Sequence, residues 1–123
     1  MLQQIGIVAL GGALGATLRY AVSEWVTVDS FPYATLSVNL VGSFLLGVLA
    51  VGLAQNLLSA NMALLLGTGV LGAFTTLSTF SVETVQMFEQ GYGNSAIVYI
   101  AITMAFGPLL ALLGWKLGES IFV

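Results

Sequence analysis

The sequence contains no cysteine and no histidine, and its 123 residues include only two basic and five acidic side chains. Without cysteine and histidine, the usual ligands of zinc, haem iron and iron–sulfur clusters are missing, and neither a Ser-His-Asp nor a Cys-His catalytic site can form. Two basic residues also cannot provide the positively charged surface that binds nucleic acid. We therefore expect that the protein is not an enzyme and has no nucleic-acid partner.

The few charged residues leave long uncharged stretches between them. Asp29 and Glu83 are separated by 53 uncharged residues, and Glu89 and Lys116 by 26. One bilayer crossing needs only about 20 apolar residues, and the mean hydropathy of the chain is +1.06. These features predict a multi-pass integral membrane protein whose surroundings are membrane lipid.

Three short polar stretches divide the chain into four hydrophobic segments. They lie at 27–32, 55–61 and 91–94. The apolar runs are continuous, whereas strands of a membrane barrel alternate in polarity over about ten residues. The fold class is therefore predicted to be all-α, with one four-helix transmembrane domain over residues 1–123. The predicted spans are approximately 2–26, 33–53, 62–90 and 95–118.

Small residues recur four positions apart in the first and fourth spans. In lipid, where the hydrophobic effect between helices is weak, such faces let helix backbones pack closely. This spacing predicts a compact and oligomeric protein. The pairs are Gly11 and Gly15, Gly12 and Ala16, Gly107 and Ala111, and Gly114 and Gly118.

The two basic residues give no bias in membrane orientation. Arg19 lies near the first-loop end of its span, Lys116 lies near the opposite membrane face, and basic residues near span ends normally set topology. Two alternatives remain open. Either another feature sets one orientation, or copies insert in both directions and pair antiparallel, which is dual topology.

The third segment has an unusual concentration of hydroxyl groups. Five of the eight residues from Phe74 to Ser81 are serine or threonine, and Gly72 precedes them. This pattern predicts a third helix broken near its middle, and broken membrane helices offer backbone carbonyls to cations and amides to anions. The polar groups in the middle of the spans are neutral. Hydroxyl and amide donors and aromatic ring edges favour a small anion.

Three segments carry motifs of one known family. Residues 11–20 (GGALGATLRY) resemble the pattern GGxxGAxxRY, 39–47 (NLVGSFLLG) resemble NxxGxFxxG, and 69–80 (GVLGAFTTLSTF) resemble GxxGxFTTFSTF. These are patterns of the Fluc (CrcB) fluoride ion channel family. The resemblance implies a fluoride-selective channel in the prokaryotic cell (inner) membrane, which exports fluoride passively and protects the cell from fluoride toxicity. It also implies an antiparallel homodimer with two pores and a central structural sodium ion (Na+).

The resemblance assigns three groups of functional residues to this chain. The pore-lining residues are Asn39, Leu77, Ser78, Thr79, Phe80, Tyr99 and Thr103. The residues near the pore mouth or vestibule are Arg19 and Glu83. The sodium ligands are the main-chain carbonyls of Gly72 and Thr75. Leu77 stands where the family motif has its first pore phenylalanine. This difference raises the alternative that the chain is one half of a channel built with an unlike homologous subunit.

Two other classes of membrane protein compete with this interpretation. A small proton-coupled multidrug transporter also has four spans, but it needs a carboxylate within the membrane, for which Glu83 is the deepest candidate. A non-transporting assembly protein would explain the small-residue faces but not the hydroxyl groups that follow Gly72. The sequence favours the channel over both.

Overall fold

The computed structural model describes residues 1–26 and 30–123. Residues 27–29, in the predicted first loop, lie outside the described residues. The described chain is helical, with α1 at Leu2–Trp25, α2 at Tyr33–Ala54 and a third span that runs from Ala60 to Glu89. The last helix, α5, extends over Gly93–Phe122, and α3 and α4 are the two pieces of the third span. These are four helices long and apolar enough to cross a membrane, which confirms that part of the predicted fold class.

The third span consists of two helical pieces. The first, α3, covers residues 60–74 and contains a π-helical stretch at Leu64–Leu71, and the second, α4, covers Leu77–Glu89. Between them, Thr75 (φ −87°, ψ 154°) and Thr76 (φ −153°, ψ 120°) are extended. The predicted bend in the third helix is therefore confirmed. The helix continues through Gly72 and is interrupted three residues later.

Close backbone contact joins α1 to the π-helical stretch of α3. A Cβ atom at Gly11 would lie 2.9 Å from the Cα of Gly69, and one at Gly15 would lie 2.8 Å from the carbonyl carbon of Val70. Neither distance leaves room for a side chain. Glycine at these two positions therefore lets the first helix and the third span pack backbone to backbone, as small residues do between membrane helices.

A second close contact joins α2 to the C-terminal half of α5. A Cβ at Gly114 would lie 2.9 Å from the carbonyl carbon of Phe44, and one at Gly118 would lie 2.9 Å from the Cβ of Val51. Two of the four small-residue pairs thus pack inside the chain. At Gly12 and Gly107, a Cβ would meet no atom within 4 Å in the described part of the protein.

The buried side chains lie mainly between α4 and α5. Phe80, Met87, Ala96 and Tyr99 form this cluster, and Tyr99 is fully buried. Because few of the large apolar side chains elsewhere are buried, most of the hydrophobic surface faces outward. An outward-facing apolar surface is what the hydrocarbon of a bilayer accommodates.

Candidate functional site

A groove of about 420 Å³ opens beside the break in the third span. Its walls come from α2, from the break and the start of α4, and from α5. Four predicted pore-lining residues line it together, namely Asn39, Leu77, Phe80 and Thr103. Thr75, predicted from the resemblance as a sodium ligand, also lines the groove. The fold therefore brings side chains from three separate spans to one cleft.

The break redirects two backbone N–H groups away from the helix. The N–H of Thr76 donates to Oδ1 of Asn39 at 2.7 Å, and the N–H of Thr79 donates to Oγ1 of Thr76 at 3.2 Å. In a continuous α-helix each N–H donates to the carbonyl four residues earlier. The carbonyls that lose these donors are those of Gly72 and Thr75.

Those two carbonyls suit a hard cation such as sodium. Alkali and alkaline-earth cations prefer oxygen ligands, and unwound backbone in broken membrane helices supplies them. Within residues 1–26 and 30–123, no group of three acidic side chains is placed to hold a metal ion. The freed carbonyls of Gly72 and Thr75 are main-chain oxygens of the kind that such a cation takes as ligands.

Arg19 lies against the same break. Its Nε donates to the carbonyl oxygen of Ala73 at 3.0 Å, and the contact is partly buried. In a continuous helix the N–H of Leu77 would have been the donor to that carbonyl. The guanidinium therefore replaces a helical hydrogen bond at the end of α3, one residue after Gly72.

Ser78 and Thr79, which were predicted to line the pore, lie at the start of α4. The hydroxyl of Thr76 is 3.3 Å from that of Ser78 and donates to that of Thr79 at 3.2 Å. Because Thr76 also accepts from the N–H of Thr79, it is the N-cap of α4. Leu77 beside them is 71% exposed, so most of its side chain extends away from the rest of the chain.

An aromatic cluster continues from the groove toward the first loop. The rings of Phe80 and Tyr99 meet edge to face with centroids 4.9 Å apart, and Phe31 packs on Tyr99 in the same way at 5.5 Å. The hydroxyl of Tyr99 donates to Oε1 of Glu83 at 3.1 Å. Tyr99 and Glu83 are therefore joined to each other, and Phe80, which packs on Tyr99, lines the groove.

Thr103 contributes a hydroxyl that is buried but unpaired. Its Oγ1 has no hydrogen-bond partner among the described residues, although it has almost no exposed surface. A buried hydroxyl without a partner costs about 1–3 kcal/mol, so such groups normally meet water or a ligand. Thr103 lines the groove, so this covered hydroxyl lies beside the space in which an occupant would sit.

The structure adds groove residues that were not among the predicted pore-lining residues. Thr76 and Ser43 line the groove, together with Pro108 in α5. Thr76 could have been found as the candidate N-cap inside the hydroxyl run, three residues before Thr79. Phe31 gave no signal, because it precedes α2 and meets Tyr99 only through tertiary packing.

Comparison with known proteins gives one consistent result. A family model described as "CrcB-like protein, Camphor Resistance (CrcB)" matches residues 6–115. The "Fluoride-specific ion channel FluC" of Agrobacterium fabrum is 42% identical over 96% of this chain and 98% of its own length. The protein of the same name from Thermus thermophilus is 42% identical, over 94% of this chain and 93% of its own. "Fluoride-specific ion channel FluC 1" of Geobacillus kaustophilus is 49% identical over 91% of this chain and 95% of its own.

These similarities extend over nearly the whole chain and include all four spans. They confirm the family that the three sequence motifs resemble. A multi-pass protein of this kind lies, in bacteria, in the cell membrane, as predicted. This chain, with its four apolar helices and a third span opened at Thr75 and Thr76, belongs to the CrcB-like (Fluc) family.

Proposed function

We propose that this protein is a fluoride-selective channel that lets fluoride leave the cell passively and so protects it from fluoride toxicity. One observation carries the proposal: among the described residues, Thr103 lines the groove at the break with a buried hydroxyl that has no partner, and no acidic side chain lines the groove. The relatives named "Fluoride-specific ion channel" support fluoride as the anion. Flow through a channel follows the fluoride gradient and needs no coupled reaction.

An anion in this groove must exchange its water for protein donors. The hydroxyl of Thr103 and the ring edge of Phe80, which carries partial positive charge, are suitable partners. We assign the hydroxyls of Ser78 and Thr79 and the groups of Asn39 and Tyr99 to the same path. Carboxylates would repel an anion, and none lines the groove among residues 1–26 and 30–123, which suits this task.

Glu83 and Arg19 lie beyond the groove lining. Glu83 holds the hydroxyl of Tyr99, and we place it at one end of the path. The guanidinium of Arg19 adds positive charge beside the break and would attract anions toward it. The two side chains therefore set the electrostatic potential at the mouth and at the break.

We infer that the active form is an antiparallel dimer with two pores. The single arginine and single lysine near opposite membrane faces are compatible with insertion in both directions. Open space beside Gly12 and Gly107, within the described chain, leaves two helix faces for a partner. The 71% exposure of Leu77 at the groove also suits a position that a second subunit covers.

A central sodium ion would be structural in this assembly. When bound, it would supply positive charge that holds main-chain oxygens of the two subunits together. The carbonyls of Gly72 and Thr75 are the groups we assign to it, because both lose their helical donors at the break. The tertiary contacts of Asn39 and Arg19 keep that break open.

Fluoride release from liposomes containing only the purified protein tests the proposal. We expect rapid fluoride efflux, read with a fluoride electrode, and no matching chloride efflux. Protein-free liposomes measure leakage, and the Leu77→Phe variant, which restores the family's aromatic ring edge, should conduct at least as fast. Chloride release equal to fluoride release would contradict selectivity for fluoride.

A channel built from two unlike subunits is the second candidate. Some relatives carry numbered names, such as "FluC 2" of Moorella thermoacetica and "FluC 1" of Geobacillus kaustophilus, and Leu77 departs from the family pattern. If folded dimers of this chain alone release no fluoride, the homodimeric channel fails. Restoration of efflux by co-expression with a homologous subunit would then establish the two-subunit form.

The Glu83→Gln variant separates a channel from a proton-coupled multidrug transporter. A glutamine oxygen can still accept the hydrogen bond from Tyr99, so we expect the variant to keep most of its fluoride efflux. A proton-coupled transporter needs the ionisable carboxylate, and all its transport would stop. Uptake of a cationic dye by wild-type vesicles, lost in the variant, would support the transporter instead.

A further inference from the structure

Asn39 bonds to the backbone of one residue through both ends of its amide group. Oδ1 accepts from the N–H of Thr76 at 2.7 Å, and Nδ2 donates to the carbonyl oxygen of the same residue at 3.0 Å. The two residues are 37 positions apart, on α2 and at the break of the third span. The pair is partly buried at the groove.

This pairing satisfies backbone groups that the break would otherwise leave open. Inside a membrane an unpaired N–H or C=O is costly because no bulk water replaces its partner. Because Thr76 is extended, its N–H cannot join the helical hydrogen bonds of the third span. A neutral amide carries a donor and an acceptor side by side, which matches the N–H and C=O of one extended residue.

The same pairing determines which carbonyl becomes available. In an uninterrupted helix the N–H of Thr76 would bond to the carbonyl of Gly72. Instead, the N–H of Thr76 donates to Oδ1 of Asn39 at 2.7 Å. The Gly72 carbonyl is then left for another partner. One N–H of the Asn39 amide also remains for an occupant of the groove.

We propose that Asn39 is a positioning residue that keeps the third span broken at Thr76 and leaves the carbonyl of Gly72 free for a cation. Its influence on conduction passes through the backbone of the break, in addition to any contact with the anion. The proposal rests on the proposed function only for its transport measurement. Its structural part stands on the two hydrogen bonds.

The Asn39→Asp variant tests this with pH. At pH 7.5 the carboxylate can accept from the Thr76 N–H but cannot donate to the Thr76 carbonyl. Burial favours the neutral form of a carboxyl group, which at pH 5 has one O–H donor and one C=O acceptor and can restore both bonds. At pH 7.5 we expect amide hydrogen exchange over residues 75–80 to be roughly tenfold faster in the variant than in wild type, because the loss of one buried hydrogen bond has an effect of about that size. At pH 5 the exchange rate of the variant should approach that of wild type.

Three further measurements complete the experiment. Fluoride efflux through the Asn39→Asp variant should fall at pH 7.5 and recover at pH 5, in parallel with its amide hydrogen exchange. At pH 7.5, sodium should raise the melting temperature of the variant less than that of wild type. Wild-type protein at both pH values corrects for every effect of pH that does not depend on residue 39. Thr84→Val is the matched control, since the hydroxyl of Thr84 lies outside the groove lining and bonds within α4, to the Phe80 carbonyl.

The outcomes separate the proposal from simpler explanations. If efflux falls while exchange over residues 75–80 stays at the wild-type rate, Asn39 acts only by contacting the anion and the proposal is wrong. If wild-type protein releases no fluoride but exchange responds to pH as expected, the positioning role stands and the proposed function fails. Should Asn39→Asp not fold at pH 7.5, Asn39→Ser, which is uncharged, replaces it. Wild-type exchange over residues 75–80 in that variant would overturn the proposal.

Discussion

Replacing Gly15 with alanine is expected to prevent α1 from packing on the third span. A Cβ at this position would overlap the carbonyl of Val70, with the carbonyl carbon only 2.8 Å away. The obstacle is backbone in a π-helical stretch, which cannot rotate aside as a side chain can. Overpacking of this kind costs typically 1–3 kcal/mol or more. We expect a large fall in melting temperature in detergent and loss of the monodisperse peak in size-exclusion chromatography.

Gly6→Ala is the matched control for this prediction. It makes the same substitution on the same helix nine residues earlier, where a Cβ would meet no atom within 4 Å in the described part of the chain. Alanine favours a helix over glycine by about 1 kcal/mol, so the fold of one subunit should be kept. Equal damage from both substitutions would show that the contact with Val70 is not the cause.

The four spans could be predicted from the sequence because the signal for them is local. Length and absence of charge define a bilayer crossing, and both can be counted along the chain. The 53 uncharged residues after Asp29 accommodate all of α2 and most of the third span. The helix ends lie within a few residues of the predicted limits, except that α5 runs on to Phe122.

The position of the break could not be predicted in the same way. Gly72 and the hydroxyl run indicated an interruption, but glycine in a membrane helix keeps its backbone hydrogen bonds and the helix continues past it. The break instead lies where Asn39 and Arg19, from two other helices, bond to backbone groups of the third span. Hydrogen bonds across 37 or 54 positions leave no periodicity in the sequence.

The candidate site was only partly accessible to sequence reasoning for a related reason. The family resemblance named the residues, but it could not show that Tyr99 bonds to Glu83 while Thr103, four positions along the same helix, lines the groove with a buried hydroxyl that has no partner among the described residues. Such differences depend on which neighbouring helix covers each side chain. Phe31 was missed because only packing brings it to Tyr99.

Replacing Thr103 with valine is expected to reduce fluoride efflux at least about tenfold while leaving the protein as stable as wild type or more so. Valine has nearly the shape of threonine but no hydroxyl. Because Oγ1 of Thr103 is buried without a partner among the described residues, its removal costs no protein hydrogen bond. It relieves a penalty of about 1–3 kcal/mol in the empty groove. The anion, in contrast, loses a donor that would replace one of its waters.

Thr84→Val provides the matched control, since it is the same substitution at a partly buried hydroxyl outside the groove lining. The hydroxyl of Thr84 already donates to the carbonyl of Phe80 at 2.8 Å, so its loss should leave efflux unchanged and stability slightly lower or equal. Melting temperature and liposome efflux are measured for both variants. A structural effect would lower stability and efflux together. A stable Thr103→Val protein with wild-type efflux would show that Thr103 is not part of the conduction path. A stable variant that no longer conducts would identify its hydroxyl as a group that meets the anion.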